Sequence, residues 1–177
     1  MPDPYRVTVV CWGNICRSPM AEHLLREAVE DAGLADRVVV DSFGTSTDEL
    51  GRPMDPRTVD ALRRNGARDT GWSAHRARQV SPSDIAERDL VLAADHVHQR
   101  ILDQRAASEE DRGKIRLLRS FDPDAVARGS LGMDDPWYGD EDDFDTTYAE
   151  VRAALPGLMA FIAEQVADPA GRQRRQA

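Results

Sequence analysis

Short apolar runs alternate with helix-forming segments along the chain, and this alternation constrains the fold more than any other feature. Four runs have the length and composition of buried strands, at residues 5–10, 38–40, 90–93 and 115–118. Strands that alternate with helices are typical of α/β domains with a parallel sheet. We therefore predict a single three-layer α/β domain over residues 1–168, with a small parallel four-stranded sheet flanked by helices.

Start and stop signals predict where the helices lie between these strands. Ser18 is read as the N-cap of the first helix, Pro19 as part of its first turn, and Gly33 as its end. Further helix starts are predicted at the capping residues Asp55, Ser81 and Asp95.

The last third of the chain has a long irregular stretch and then a helix. Residues 119–143 show no clear periodicity, and long loops of this kind are often functional. An apolar stripe from Phe144 to Ile162 predicts an amphipathic helix. We expect a kink or a break in it at Pro156 and Gly157, because proline cannot donate a helical hydrogen bond.

Composition excludes several classes of protein. The 177 residues are 41% hydrophobic and 31% charged, with a net charge of −9, as in ordinary globular domains. No apolar run reaches the ~20 residues of a membrane span, and no signal-like stretch follows Met1. We expect a cytoplasmic monomer that binds neither membrane nor nucleic acid, with residues 169–177 as a basic, disordered tail.

The segment from Cys11 to Ser18, CWGNICRS, joins the first strand to the first helix. A helix start at the carboxyl end of a strand offers free N–H groups to an anion. Gly13 and Asn14 tolerate the left-handed backbone that turns such groups inward, and Arg17 adds a planar donor fork suited to phosphate. The same field favours the thiolate form of Cys11, which would be a nucleophile aimed at phosphorus.

Other readings of the two cysteines remain open at this point. The chain has only Cys11 and Cys16, too few for a disulfide framework, and no neighbouring pair completes a zinc site. A cysteine at a strand end is usually an inert buried residue, and the Cys-x5-Arg spacing alone also occurs by chance.

The whole octapeptide, followed by PMAE, resembles the phosphate-binding loop of low-molecular-weight protein tyrosine phosphatases. The resemblance implies that family's phosphotyrosine phosphatase I-like fold and extends over about residues 5–165. It is carried by four further segments: DSFGTS at 41–46, HRARQ at 75–79, RLLRSFDP at 116–123 and DDPWYG at 134–139.

The resemblance implies a role for each matching residue in the hydrolysis of phosphotyrosine and aryl phosphates. Cys11 would form a phosphocysteine intermediate, Arg17 would bind the phosphate, and Asp135 would be the general acid and then the base. The phosphate-binding residues would be Trp12, Gly13, Asn14, Ile15, Cys16, Arg17 and Ser18. The supporting hydrogen-bond network would be Asn14, Ser18, Ser42 and His75. No metal or cofactor is expected, and the other histidines, His23, His96 and His98, are assigned no role.

The rim of the predicted slot departs from the family pattern. Its walls would be Trp12, Asp48, Trp137 and Tyr138, with Trp12 in place of a smaller residue. Acidic residues at 134, 140–143 and 48–49 suggest a preference for phosphopeptides with basic flanks, although residues 140–143 could simply cap the last helix.

Regulation and alternative functions also follow from the resemblance. Cys11 and Cys16 could form a reversible, protective disulfide, or Cys16 could be a small buried residue. The partners would be phosphotyrosine-containing protein substrates, a tyrosine kinase among them. Tyr138 could itself be phosphorylated, as similar tyrosines are in the family. The competing functions are an arsenate reductase of the same fold and a catalytically inactive phosphotyrosine-binding module.

Overall fold

The computed structural model describes residues 3–168, so the tail predicted at residues 169–177 lies outside the described residues. Within them one sheet is formed by β1 (Tyr5–Cys11), β2 (Val38–Gly44), β3 (Leu90–Ala93) and β4 (Ile115–Leu117). The strand order is β2-β1-β3-β4, and every neighbouring pair is parallel. The predicted single α/β domain with a parallel four-stranded sheet is confirmed.

Helices cover both faces of this sheet. In residues 3–168 they are α1 (Arg17–Asp31), α2 (Pro56–Arg64), α3 (Pro82–Ala86), α4 (His96–Arg105), α5 (Glu109–Gly113), α6 (Pro123–Arg128) and α7 (Glu141–Ala167). The 3₁₀ turns are Trp72–Ala74, Leu118–Phe121 and Pro136–Tyr138. α1 and α7 pack together on one face of the sheet, and α4 packs against β3 and β4 on the other.

Two apolar cores hold the three layers together. The larger joins Val7 and Val9 of β1 to Leu24 of α1 and Leu158 of α7. The smaller lies on the other face, where Val91 and its neighbours meet α3 and α4. Full burial of a side chain of this size contributes roughly 1.5–3 kcal/mol, so the two cores determine the positions of the strand ends that carry the site.

The predicted N-cap at Ser18 is wrong. α1 begins at Arg17, its N-cap position is Cys16, and no side chain caps it. Ser18 lies in the first turn, with its hydroxyl engaged by Cys11 and Asn14. The end predicted at Gly33 agrees with the structure, since Gly33 follows the helix with a φ of 67°.

The stretch 119–143 contains more regular structure than its sequence predicts. Asp122 caps α6 by accepting a hydrogen bond from the amide of Asp124, and Gly129 ends this helix with a φ of 66°. These start and stop signals were present in the sequence, but six residues are too few to show a helical period.

The break predicted at Pro156 does not occur, because α7 runs continuously from 141 to 167. Leu155 and Leu158 on either side of the proline are buried in the larger core. Burial of the stripe thus outweighs the ~3 kcal/mol that proline costs inside a helix. Gly157 is needed for close packing, since a Cβ there would overlap the carbonyl oxygen of Phe121. No helix among the described residues is long and apolar enough to cross a bilayer.

Candidate active site

The segment between β1 and α1 lies at the carboxyl edge of the sheet, where open α/β sheets bind ligands. β1 ends at Cys11 and α1 begins at Arg17. The amide of Thr45, just after β2, donates to the carbonyl of Cys11 at 2.9 Å. Gly44 permits this approach, because a Cβ there would lie 2.6 Å from the carbonyl oxygen of Trp12.

Asn14 is the centre of the hydrogen bonds that hold the loop. Its φ of 60° is left-handed, a region that asparagine tolerates better than most residues. Its Nδ2 donates to Ser18 Oγ and Ser42 Oγ, both at 2.9 Å, and its Oδ1 accepts from the amide of Arg78 at 3.1 Å. Its carbonyl oxygen accepts from Nε2 of His75 at 2.7 Å. The structure therefore brings the four predicted network residues together.

Two substitutions at Asn14 separate its hydrogen bonds from its backbone conformation. Asn14→Gly should lose about 1–3 kcal/mol of unfolding free energy, because the buried partners of the amide are left unsatisfied. Asn14→Ala should lose a further ~1–2 kcal/mol, because alanine is strained at positive φ. Urea unfolding measures both, and equal stabilities of the two variants would contradict the role of the backbone.

The candidate nucleophile is buried against the first turn of α1. Sγ of Cys11 lies 3.0 Å from Oγ of Ser18. Because Ser18 already accepts from Asn14, its own hydroxyl proton is available to the sulfur. This arrangement places a hydrogen-bond donor directly on the sulfur.

The buried side chain of Arg17 links the loop to the distal segment that carries Asp135. Its Nη1 donates to the carbonyl of Met133 at 2.9 Å, and its Nη2 forms an ion pair with Oδ2 of Asp135 at 3.1 Å. Its Nε is buried without a partner. A buried guanidinium N–H of this kind costs free energy unless an acceptor reaches it, so the site is built for an anion.

Asp135 and Cys11 line the same pocket, which has a volume of about 140 Å³. Asp135 caps the turn Pro136–Tyr138, and about a third of its side chain is exposed, so solvent and a ligand both reach it. The other lining residues are Trp12, Gly13, Ile15, Cys16, Arg17, Asp48, Glu49, Trp137 and Tyr138. Trp12 forms the wall on the side of the loop, and its Nε1 donates to Asp48 at 2.9 Å.

Cys16 lies on the inner side of the loop. Burial, and then the charge of Asp55, raises the pKa of its thiol, so Cys16 is neutral near pH 7. Both cysteines are free thiols. The regulatory disulfide between Cys11 and Cys16 stays a prediction.

The sequence did not reveal a chain of contacts that links the loop after β1 to the turn Pro136–Tyr138. The amide of Asp55 donates to the carbonyl of Ile15 at 3.0 Å, and its carboxylate pairs with Arg57 at 2.8 Å. Nη1 of Arg57 then donates to the carbonyl of Trp137 at 3.2 Å. Only the Asp-Pro helix start was visible in the sequence, because the ends of this bridge are far apart along the chain.

His98 was also missed, since it was assigned no role. It is buried on α4, and burial followed by the charge of Arg17 lowers the pKa of His98 from 6.5 to about 4. Between about pH 6.5 and 4 the unfolded chain therefore binds a proton that the folded chain does not.

Stability should consequently fall as the pH is lowered from 6.5 towards 4. His98 alone contributes a slope of up to ~1.4 kcal/mol per pH unit in that window. His98→Gln should flatten the slope, whereas His96→Gln, an exposed position on the same helix, should keep it. Urea unfolding across this pH range tests the assignment, and an unchanged slope in His98→Gln would refute it.

The acidic run that starts α7 is partly used inside the protein. Asp140 and Asp143 form a capping box at the start of that helix, and Glu141 pairs with Arg64 at 3.3 Å. Asp134 lies exposed beside Asp135. The capping role expected for residues 140–143 is therefore present, whereas the acidic residues that line the pocket are Asp48, Glu49 and Asp135.

The chain is similar to known proteins over the region that forms this site. A family model described as "Low molecular weight phosphotyrosine protein phosphatase" matches residues 6–168. A low molecular weight protein-tyrosine-phosphatase of Streptomyces coelicolor is 48% identical over 163 residues, covering 92% of this chain and 96% of that protein. A low molecular weight protein-tyrosine phosphatase A of Mycobacterium tuberculosis is 41% identical over 167 residues, covering 94% of this chain and 97% of that protein.

Solved structures agree with these sequence matches. A protein tyrosine phosphatase from Entamoeba histolytica superposes with a TM-score of 0.82 at 26% identity, covering 90% of this chain and 97% of that one. The structure of YfkJ from Bacillus subtilis gives a TM-score of 0.79 at 28% identity, covering 92% of this chain and 97% of that one.

Proposed function

The chain belongs to the low molecular weight phosphotyrosine protein phosphatase family, and from this membership we propose that Cys11, Arg17 and Asp135 carry its reaction. The protein is a protein tyrosine phosphatase that acts on phosphotyrosine-containing protein substrates. The observation that supports these residues most is the ion pair of Arg17 and Asp135 beside the pocket that Cys11 lines.

In the first step, the Cys11 thiolate attacks phosphorus as the bond from phosphorus to the tyrosine oxygen breaks. The phosphate of the substrate replaces Asp135 on Arg17, and Asp135, which enters this step protonated, gives its proton to that oxygen. This avoids a poor phenolate leaving group. Arg17 and the backbone N–H groups of residues 12–18 hold the negative oxygens of the transferring group. The products are tyrosine and phosphocysteine.

In the second step, water attacks the phosphocysteine and Asp135 takes its proton. The bond from sulfur to phosphorus breaks, and inorganic phosphate leaves with the Cys11 thiolate restored. Ser18 stabilises that thiolate through the hydroxyl 3.0 Å from the sulfur. The Asn14 network keeps the loop in the same conformation in both steps, so no donor has to be reorganised.

The two competing functions are not favoured. A reductase that carries oxidation away from its nucleophile needs further thiols, and this chain has only two cysteines, both in the loop. A module that only binds phosphotyrosine needs no general acid. In this chain Asp135, the proposed general acid, lies beside the phosphate-binding Arg17.

The proposal extends to the compartment, to Tyr138 and to the oligomeric state. Two free cysteines fit a reducing compartment, which supports a cytoplasmic location. Tyr138 is 83% exposed and therefore accessible to a tyrosine kinase. A monomer stays a prediction, which light scattering would test.

The direct test of the function compares matched peptides that carry phosphotyrosine or phosphoserine. The indole rings of Trp12 and Trp137 line the pocket and favour an aromatic group that reaches down to the loop. Phosphotyrosine should be hydrolysed much faster, and equal kcat/KM for the two peptides would contradict the proposal.

The rim charge also predicts a sequence preference. Phosphotyrosine peptides with basic flanks should have a higher kcat/KM than those with acidic flanks, by roughly 1.5- to 5-fold for each exposed charge pair. The difference should shrink with added salt. Asp48→Asn is the matched variant, since asparagine can still accept from Trp12. Equal values for both flanks at low salt would refute the preference.

A further inference from the structure

A second cluster of polar side chains lies behind the loop, away from the phosphate pocket. Glu22 and His23 lie on α1, and His75 follows the turn Trp72–Ala74. One ring nitrogen from each histidine and one carboxylate oxygen of Glu22 all lie within 4.8 Å of one another. None of its three residues lines the phosphate pocket, and His75 is linked to the proposed reaction only through its hydrogen bond to the carbonyl of Asn14.

The hydrogen bond of His75 determines which of its ring nitrogens faces the cluster as a lone pair. Nε2 of His75 must donate to the carbonyl of Asn14, because a carbonyl only accepts, and this leaves a lone pair on Nδ1. That Nδ1 lies 3.9 Å from Oε2 of Glu22, which is another acceptor. His23 uses Nδ1 for Thr70 at 2.7 Å, and its Nε2 is buried without a partner.

In the tautomer that donates Nδ1–H to Thr70, His23 presents a lone pair on Nε2, and the three donor atoms of the cluster can then share one cation. Arg26 pairs with one oxygen of Glu22, and Ser42 donates to the other. Each oxygen keeps a further lone pair, so these contacts orient the carboxylate without using up its donor capacity.

The surroundings also suit a bound ion. A cleft of about 300 Å³, lined by Glu22, His23 and His75, leads from the surface to the cluster. The bond from His75 to Asn14 is the kind of outer contact that fixes the orientation of a ligating histidine. Arg26, Arg76 and Arg78 also line the cleft and oppose a dication, so strong imidazole donors matter more than charge.

We propose that Glu22, His23 and His75 form a site for a transition-metal dication of the zinc class. Two imidazoles and one carboxylate select Zn²⁺, Co²⁺ or Ni²⁺ over Mg²⁺ and Ca²⁺, which prefer oxygen ligands. Binding would draw the donors in to about 2.0–2.2 Å from the ion and leave a coordination position open to the cleft. The sequence did not reveal this site, because adjacent residues on α1 and a distant loop histidine match no metal motif.

The test is calorimetric titration of the full chain with Zn²⁺, in a Cys11→Ser background that removes the thiolate as a competing ligand. This background should bind one Zn²⁺ per chain. Adding His23→Gln removes a proposed ligand. It should therefore weaken Zn²⁺ binding by more than the roughly 10–100-fold that the loss of a hydrogen-bond partner of a ligand typically costs. Adding His96→Gln should leave binding unchanged, because that residue is exposed on another helix.

A second readout covers the case in which His23→Gln does not fold. The Co²⁺ form of the Cys11→Ser protein should show visible d–d bands of a nitrogen and oxygen site, with no sulfur charge-transfer band. Absence of Zn²⁺ binding in this background would overturn the proposal. So would binding that His23→Gln leaves unchanged, or a sulfur band in the Co²⁺ spectrum. None of these outcomes depends on phosphatase activity.

Discussion

Cys11→Ser should lower the hydrolysis of phosphotyrosine peptides by about 10⁴- to 10⁶-fold, the range seen when a covalent nucleophile is removed. A serine hydroxyl is protonated at neutral pH, and Asp135 enters the first step as the acid, so it cannot also activate that hydroxyl. Ser18 Oγ, 3.0 Å from the sulfur, stabilises a thiolate and cannot take a proton from a hydroxyl.

The control for this variant is its ability to bind phosphate. The donors that hold the anion, Arg17 and the loop N–H groups, are unchanged, so inorganic phosphate should bind as in the parent protein. Urea unfolding should also show a near-normal stability, because the substitution is nearly isosteric. Substantial hydrolysis by a folded, phosphate-binding Cys11→Ser protein would show that the reaction does not pass through the sulfur.

Asp135→Asn should have the second largest effect, a loss of about 10²- to 10⁴-fold in kcat. The amide cannot protonate the leaving oxygen. The loss should therefore grow as the leaving phenol becomes more basic, and a nitrophenyl phosphate should be affected least. A series of aryl phosphates of graded leaving-group pKa measures this dependence directly.

Asp134→Asn is the matched control, since it removes the same charge one residue away at an exposed position. Its kcat should stay within a few-fold of that of the parent protein, because the loss of one exposed charge has only a small effect. If Asp134→Asn and Asp135→Asn lost activity equally, or if the loss in Asp135→Asn were the same for every leaving group, Asp135 would not be the proton donor.

Local patterns in the sequence predicted most of the sheet. Val7 and Val9 belong to a run of β-branched residues, which is typical of a buried strand. Gly33 ends α1 because it adopts a positive φ. The closeness of Cys11 and Arg17 could be predicted for the same reason, because only residues 12–16 join the strand that ends at Cys11 to the helix that begins at Arg17.

Features that depend on distant contacts could not be predicted from local patterns. Asp135 was assigned only through the family resemblance, since nothing near it indicates its ion pair with Arg17. Ser18 has the sequence of an N-cap, but Cys11 and Asn14 recruit its hydroxyl once the chain is folded. The burial of His98 was equally invisible, because it depends on how the distal segment packs over α4.

The same limit explains the helix errors. Pro156 signals a break, yet burial of the apolar residues around it keeps α7 continuous. Helix α6 is too short to show a period, so its caps at Asp122 and Gly129 were its only signal.

The most direct test of the central claim is to find where the phosphoryl group is held during turnover. Asp135→Asn protein is mixed with a nitrophenyl phosphate and quenched within the first turnover, so that slow hydrolysis lets the intermediate accumulate. Mass spectrometry of the peptide that spans residues 7–17 then locates the group. The proposed mechanism predicts a phosphoryl group on Cys11. A phosphoryl group on Cys16 or another residue, or hydrolysis with no phosphoenzyme, would contradict it.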